Sequence, residues 1–206
     1  MIGLAGAHRC GKTTLAKAYA DKFGIEFMKT DSAGVFERFG LDPQSDYSFS
    51  DRLFLQNEIL NEAIKVYKQA DFKQAITDRT PIDMLAYMMA DIKRETLTEN
   101  DDLQFMEYFG RCMETANRYM SVVVIVQPGI PVKDDPTKAT ATFGYIQHIS
   151  DLIKGVSLSE MLTVPKYYIG SKVLELSSRM VAIEKAIDKA YGVESDSNNL
   201  IGVGIH

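Results

Sequence analysis

Gly6-Ala7-His8-Arg9-Cys10-Gly11-Lys12-Thr13-Thr14 decides how the rest of this 206-residue chain is read. It satisfies the pattern G-x-x-x-x-G-K-[ST], in which each fixed position has a physical task. The glycines let the backbone turn tightly, so that successive N–H groups converge on phosphate oxygens. Lys12 brings a cation to the β- and γ-phosphates, and the Thr13 hydroxyl is a ligand for Mg²⁺. The flanks supply the required context. Met1-Ile2-Gly3-Leu4-Ala5 is a short apolar run suited to a buried strand. The stretch from Thr13 to Ala20 has helix formers, with Leu15, Ala18 and Tyr19 at helical spacing.

Working outward, strand and helix patterns alternate. Ile25–Lys29 reads as a strand. A short helix through Val35, Phe36 and Arg38 follows, capped by Asp31 or Ser32 and closed by Gly40. Ser50 is expected to cap a long helix over Asp51–Gln69, with Leu53, Leu60, Ala63, Ile64 and Tyr67 on its apolar face. Gln74–Asp78 is a third strand, and Pro81 opens a helix running to about Lys93, in the turn where proline costs least. Another helix spans about Asn100 to Met120. Ser121–Val126 is β-branched and continuous without alternation, as a parallel strand covered on both faces must be. Helical patterning resumes over Tyr145–Lys154. Tyr167-Tyr168-Ile169 and Val173-Leu174-Glu175-Leu176 compete for the fifth strand, and the last helix covers about Ser178–Tyr191. The expected fold is α/β: a doubly wound, five-stranded parallel sheet of the P-loop NTPase type, with helices on both faces. One domain occupies residues 1–191, with a Pro/Gly-bearing, charge-rich lid at about 128–141 and a loose tail over 192–206.

Composition bounds the function. Hydrophobic residues make up 46% and charged residues 25% of the chain, an ordinary globular balance. A net charge of −5 lacks the field expected of a nucleic-acid binder, so nucleic acid is not an expected partner. No run of 18 apolar residues exists and the N-terminus lacks the layout of a signal peptide, so the expectation is a cytoplasmic protein with no membrane association. The two cysteines, Cys10 and Cys112, read as free thiols.

A phosphate loop alone does not name a reaction; the acid that helps to hold Mg²⁺ narrows it. Motors place that acid at the end of a strongly hydrophobic strand, but here the most hydrophobic strand runs into Gln127. Asp78, at the end of the third strand, is the natural candidate, and Arg79 follows it. A metal-holding carboxylate beside a guanidinium suits phosphoryl transfer to a second, anionic substrate. The plain structural alternative is that Asp78 caps the Pro81 helix while Arg79 lies on the surface.

Gly-x-x-Arg9-x-Gly-Lys-Thr followed by Asp78-Arg79 resembles the nucleoside-monophosphate kinase branch of the P-loop kinases, with thymidylate kinases nearest. Asp78-Arg79-Thr80-Pro81-Ile82-Asp83 is also similar to a segment of small phage and bacterial P-loop kinases. The resemblance implies ATP and Mg²⁺ as cofactors, bound across Gly6, Ala7, His8, Arg9, Cys10, Gly11, Lys12, Thr13 and Thr14, with the metal at Thr13 and Asp78. It implies that Arg9 and Lys12 neutralise the transferring phosphoryl group and that Arg79 binds the acceptor phosphate. It further implies a lid without catalytic arginines, which fits Lys133 and Lys138, and a homodimer. Arg179 stands where related kinases place residues beside adenine.

One departure matters. Thymidylate kinases carry Phe-Pro-x-Arg after the second strand, where this chain has Met28-Lys29-Thr30-Asp31-Ser32. An acid there is closer to deoxynucleoside kinases, in which a carboxylate takes the proton of the attacking hydroxyl; Gln56 resembles their base-pairing glutamine. Asp31 is therefore either a general base or a helix cap, and Gln56 either a base ligand or part of a solvated helix face. Arg52 is either an acceptor-phosphate ligand or a surface ion pair. His8 is expected to point its side chain to solvent, and Arg111 and Arg118 to form a solvated stripe or to approach the phosphates. The function expected is ATP-dependent phosphoryl transfer to a nucleoside monophosphate, in its deoxy form. A hydroxyl acceptor (nucleoside, small metabolite or modified base in DNA) and an ATPase or nucleotide switch acting on a protein partner are the alternatives.

Overall fold

Strands and helices alternate along the computed structural model, which describes residues 1–42, 45–70, 75–92, 97–131 and 142–192. The order is β1 (Ile2–Ala5), α1 (Lys12–Phe23), β2 (Glu26–Met28), α2 (Ser32–Arg38), α3 (Phe49–Tyr67), β3 (Ala75–Thr77), α4 (Pro81–Ala90), α5 (Glu99–Tyr119), β4 (Val122–Val126), α6 (Phe143–Ser157), β5 (Lys166–Ile169) and α7 (Leu176–Tyr191). All strand pairs are parallel, in the order β2-β3-β1-β4-β5. The expected five-stranded, doubly wound sheet is therefore present.

Side-chain alternation along the strands divides the core into two layers. Leu4, Val122, Val124, Val126 and Ile169 pack with Leu15 and Tyr19 of α1 and Ile183 of α7. Ala5, Val123 and Ile125 pack on the opposite face with Leu60 of α3, Leu85 of α4, Tyr108 of α5 and Ile149 of α6. Every residue of β4 is buried, which is why its sequence shows no polar alternation. The chain leaves β1 toward α1 on one face and leaves β3 toward α4 on the other. The crevice at the carboxyl end of β1 is thus the switch point at which this class of sheet binds ligands.

Local differences from the sequence expectations have identifiable causes. Helix α3 begins at Phe49, and Ser48 rather than Ser50 caps it by accepting from the Asp51 N–H. Phe49 packs partly against the core, which draws the helix start upstream; Ser50 instead donates to Asp101 at 3.3 Å. Asp78 does not cap α4. Thr80 does, in a reciprocal capping box with Asp83 and with Pro81 in the first turn. Of the two candidates for the fifth strand, Lys166–Ile169 pairs with β4 in the register Val124↔Tyr167 and Ile125↔Tyr168. The other run supplies the approach to α7. Among the described residues no helix is long and apolar enough to cross a membrane. Most of the expected lid, including Lys133 and Lys138, and the tail from residue 193 lie outside the described residues.

Candidate active site

Gly6 leaves β1 with φ +156°, so close to β4 that a Cβ there would stand 2.5 Å from the Val126 carbonyl oxygen. Gly11 turns into α1 with φ +85°. Between them Arg9 has φ 61°, the one non-glycine in the left-handed region among the described residues, a backbone state that costs energy and clusters at ligand sites. The Lys12 ammonium lies over the loop, donating to the carbonyls of Gly6 at 2.5 Å and Ala7 at 2.8 Å. Ala7 and Cys10 are buried, so whatever they offer a ligand comes from their main chain.

The Asp78 corner closes on this loop. The Thr13 hydroxyl donates to the Asp78 carboxylate across 65 residues of sequence. Two hard oxygen ligands thus meet at the mouth of the nest. Among the described residues no three His, Cys, Asp or Glu side chains cluster as a metal cage. The donor set still fits Mg²⁺, which takes one or two protein oxygens and completes its shell with phosphate and water. Arg79 is held at its backbone: its carbonyl accepts from the Tyr67 hydroxyl at 2.7 Å and the Thr77 hydroxyl at 3.2 Å. Its guanidinium lies 5.8 Å from the centroid of the Tyr87 ring.

Helix α4 grips the first half of the loop twice. The Asp83 carboxylate accepts from the Gly6 N–H at 2.6 Å and, on its other oxygen, from the Thr80 N–H and hydroxyl at 2.7 and 2.8 Å. One turn on, the Tyr87 hydroxyl accepts from the His8 N–H at 3.0 Å and meets His8 Nδ1 at 3.0 Å. Asp83 is fully buried. Burial raises its pKa, against the pull of Lys12, Arg79 and the donated N–H groups. The residue pair i, i+4 on one helix face thereby sets the loop's position. In the sequence Asp83 stands out only as the end of the Asp78–Asp83 segment; both its capping box with Thr80 and its grip on Gly6 are seen in the structure.

His8 corrects an expectation. Its ring does not point freely to solvent but stands between Tyr87 and Tyr145, at centroid distances of 6.2 and 5.5 Å. The Tyr87 oxygen accepts the His8 main-chain N–H and shares one proton with Nδ1 of the neutral imidazole, either group being the donor, while Nε2 is buried without a partner among the described residues. Burial, then Lys12, Arg9 and Arg79, lower its pKa and favour this neutral form.

The remaining candidates divide. Asp31 caps α2, accepting from the Gly34 N–H at 3.0 Å, and it is exposed. Gln56 is not on a solvated face: it is 7% exposed, because α3 turns that side toward the core. Arg52 pairs with Asp91 at 3.0 Å and stacks 4.8 Å from the Tyr47 ring. Arg111 is half-buried and is engaged away from the phosphate loop, binding the side-chain oxygens of Asn57 and Asn61 on α3, while Arg118 stays exposed beside the Tyr119 ring. Arg179 is 1% exposed and lies against the phosphate loop, its Nη1 donating to the Cys10 carbonyl at 2.8 Å.

Known proteins share this fold. Residues 1–158 match a family model described as an AAA domain. No curated protein sequence matches the chain. Among solved structures, deoxyadenosine kinase from M. mycoides superposes with a TM-score of 0.64 at 14% identity, covering 91% of this chain and 98% of that one. Thymidylate kinase from Ehrlichia chaffeensis superposes with a TM-score of 0.56 at 14% identity, over 90% and 97% of the two chains. The NadR protein superposes with a TM-score of 0.64 at 15% identity, over 96% of this chain and 52% of that one. The chain belongs to the AAA-domain family of P-loop proteins, and its fold is that of the P-loop nucleoside and nucleotide kinases.

Proposed function

We propose that this protein is an ATP-dependent kinase whose acceptor is a nucleoside monophosphate, in its deoxy form. One observation carries the reading: the Asp78-Arg79 corner is joined to the phosphate loop at both residues. Asp78 meets Thr13, and Arg79 lies on the Tyr87 ring whose hydroxyl holds His8. A switch or simple ATPase has no use for a second guanidinium at that place, whereas a kinase must present an acceptor in line with the γ-phosphate. The structural neighbours include both a deoxyadenosine kinase and a thymidylate kinase, so the fold is compatible with either acceptor class. Arg79 favours the phosphate-bearing one.

In this reading the main-chain N–H groups from His8 to Thr13 cradle the triphosphate, and Thr13 and Asp78 hold Mg²⁺. A Mg²⁺ held there would supply positive charge to the triphosphate. Lys12 leaves its resting contacts with the Gly6 and Ala7 carbonyls and stabilises charge on the transferring group together with Arg9. Arg79 orients the acceptor phosphate with its forked donors, and the backbone bonds from Tyr67 and Thr77 keep that fork in place. Asp31 serves α2 as a cap, and a phosphate acceptor needs no base from it.

Arg79→Ala is the direct test. The expected result is an acceptor KM raised by about tenfold or more with the KM for ATP unchanged, as expected for loss of one charge-assisted, bidentate contact. Steady-state kinetics in both substrates checks it. An unchanged acceptor KM removes the role assigned to Arg79.

A further inference from the structure

Arg179 is the most deeply buried cation among the described residues, at 1% exposure. Three observations make it unusual. Its Nε donates to the Val173 carbonyl at 2.7 Å and its Nη1 to the Cys10 carbonyl at 2.8 Å, so it ties the approach to α7 to the phosphate loop, 169 residues apart. Its Nη2 is shielded and meets no acceptor among the described residues. No carboxylate pairs with it there either; its two bonds go to neutral carbonyls. A buried guanidinium without a counter-charge is costly, and this one is packed behind the positive end of α1, on the Cys10 carbonyl just before Gly11 caps that helix.

The placement has a chemical consequence. Cys10 C=O and Gly11 N–H belong to one peptide group. A charge-assisted bond to that carbonyl polarises the peptide and makes its N–H a stronger donor. The guanidinium is also tight against the loop: a Cβ on Gly11 would lie 3.2 Å from Arg179 Nη1 and 2.9 Å from Ile130 Cδ1. Burial lowers the pKa of Arg179, partly offset by Cys10, but a guanidinium in a protein keeps its proton.

We propose that Arg179 is a positioning residue for the donor triphosphate: from behind the loop it fixes and polarises the Cys10–Gly11 peptide, and its charge is balanced by the bound phosphates rather than by any protein acid. This differs from a place beside adenine, the role suggested by resemblance, because the energy acts on phosphate and not on the base. The proposal rests on ATP as the donor at this loop and is independent of which acceptor is used.

The experiment compares wild type, Arg179→Gln and Arg179→Lys in binding Mg²⁺·tripolyphosphate, a non-hydrolysable ATP analogue and adenosine. Calorimetry follows the first two, and saturation-transfer NMR follows adenosine. Gln keeps a hydrogen-bond donor without charge, and Lys keeps the charge without the fork. Arg179→Gln is expected to weaken tripolyphosphate and the ATP analogue alike by about tenfold or more, the scale of one lost charge-assisted interaction. Arg179→Lys, which keeps the charge but not the two-armed grip, is expected to lose less than Arg179→Gln and to stay within about tenfold of wild type, and adenosine binding is expected to be equal in all three. Unchanged tripolyphosphate affinity in Arg179→Gln overturns the proposal. So does loss of adenosine binding with tripolyphosphate binding retained, which makes Arg179 a base contact. Should Arg179→Gln fail to fold, Arg179→Lys decides alone, since a loss beyond about tenfold contradicts a role carried by charge. Failure of wild type itself to bind the ATP analogue refutes the donor reading and this proposal together.

Discussion

Alanine at position 12 is expected to lower kcat by about 10²–10³-fold or more while leaving the fold intact, the scale seen when one preorganised electrostatic group is removed from a transition state. Lys12 is half-buried, and its partners are the Gly6 and Ala7 carbonyls and, at 3.9 Å, Cys10 Sγ. These partners are uncharged, and the buried Asp83 carboxylate that Lys12 also favours keeps its three donated hydrogen bonds, so stability falls modestly. The ammonium is the mobile cation of the loop, and its deletion removes charge where the γ-phosphoryl group gains it. Single-turnover transfer, with thermal unfolding as the control for folding, checks this. Full activity in Lys12→Ala refutes the phosphate-loop mechanism.

Asp83→Ala is expected to act through structure instead. The side chain is fully buried and accepts from Gly6 N–H, Thr80 N–H and the Thr80 hydroxyl. Its removal leaves two main-chain donors unpaired inside the protein and deletes the reciprocal half of the α4 capping box. Together these cost about 3 kcal/mol, or roughly 6–12 °C in Tm for a chain of this size. Activity falls as well, because Gly6 is the residue at which the loop leaves β1. Asn at this position is expected to do little better. Both carboxylate oxygens accept N–H bonds, and an amide must turn its NH₂ toward one of those donors. Thermal unfolding of the Ala and Asn variants checks the pair; wild-type stability in Asp83→Asn contradicts the account of the carboxylate.

These two residues also mark what a sequence discloses. Lys12 was legible because the phosphate loop is local: every fixed position lies within eight residues, and strand and helix flank it. The same holds for β4, whose run of valines and isoleucine can only be a strand covered on both faces. Asp78 and Arg79 were legible by position at a strand end, and Thr13 and Asp78 do meet. Asp83 was legible only as the last residue of the Asp78–Asp83 segment. Its bond to Gly6 spans 77 residues, and no local pattern carries such a partner. His8 was misread for the same reason: a loop residue looks solvent-facing until Tyr87 and Tyr145 arrive from α4 and α6. The solvated-face alternative for Gln56 fails, and Arg111 finds partners on α3, because helix periodicity gives faces but not which neighbouring helix covers them. Arg179 was read at the right end of α7, yet its burial against Cys10 follows only from how the sheet brings the loops after β1 and β5 together. Ser50 was read as the cap of α3, and the packing of Phe49 against the core moved the cap to Ser48.

The central claim is acceptor-dependent phosphoryl transfer, and ADP release from ATP·Mg²⁺ tests it most directly, measured against a panel of nucleosides, nucleoside monophosphates and short DNA with an acceptor-free control. The account predicts that one deoxynucleoside monophosphate stimulates release well above the control. Stimulation by a nucleoside or by DNA instead contradicts the phosphate-acceptor reading and makes Asp31 a general base. Equal release with and without every acceptor contradicts the kinase itself.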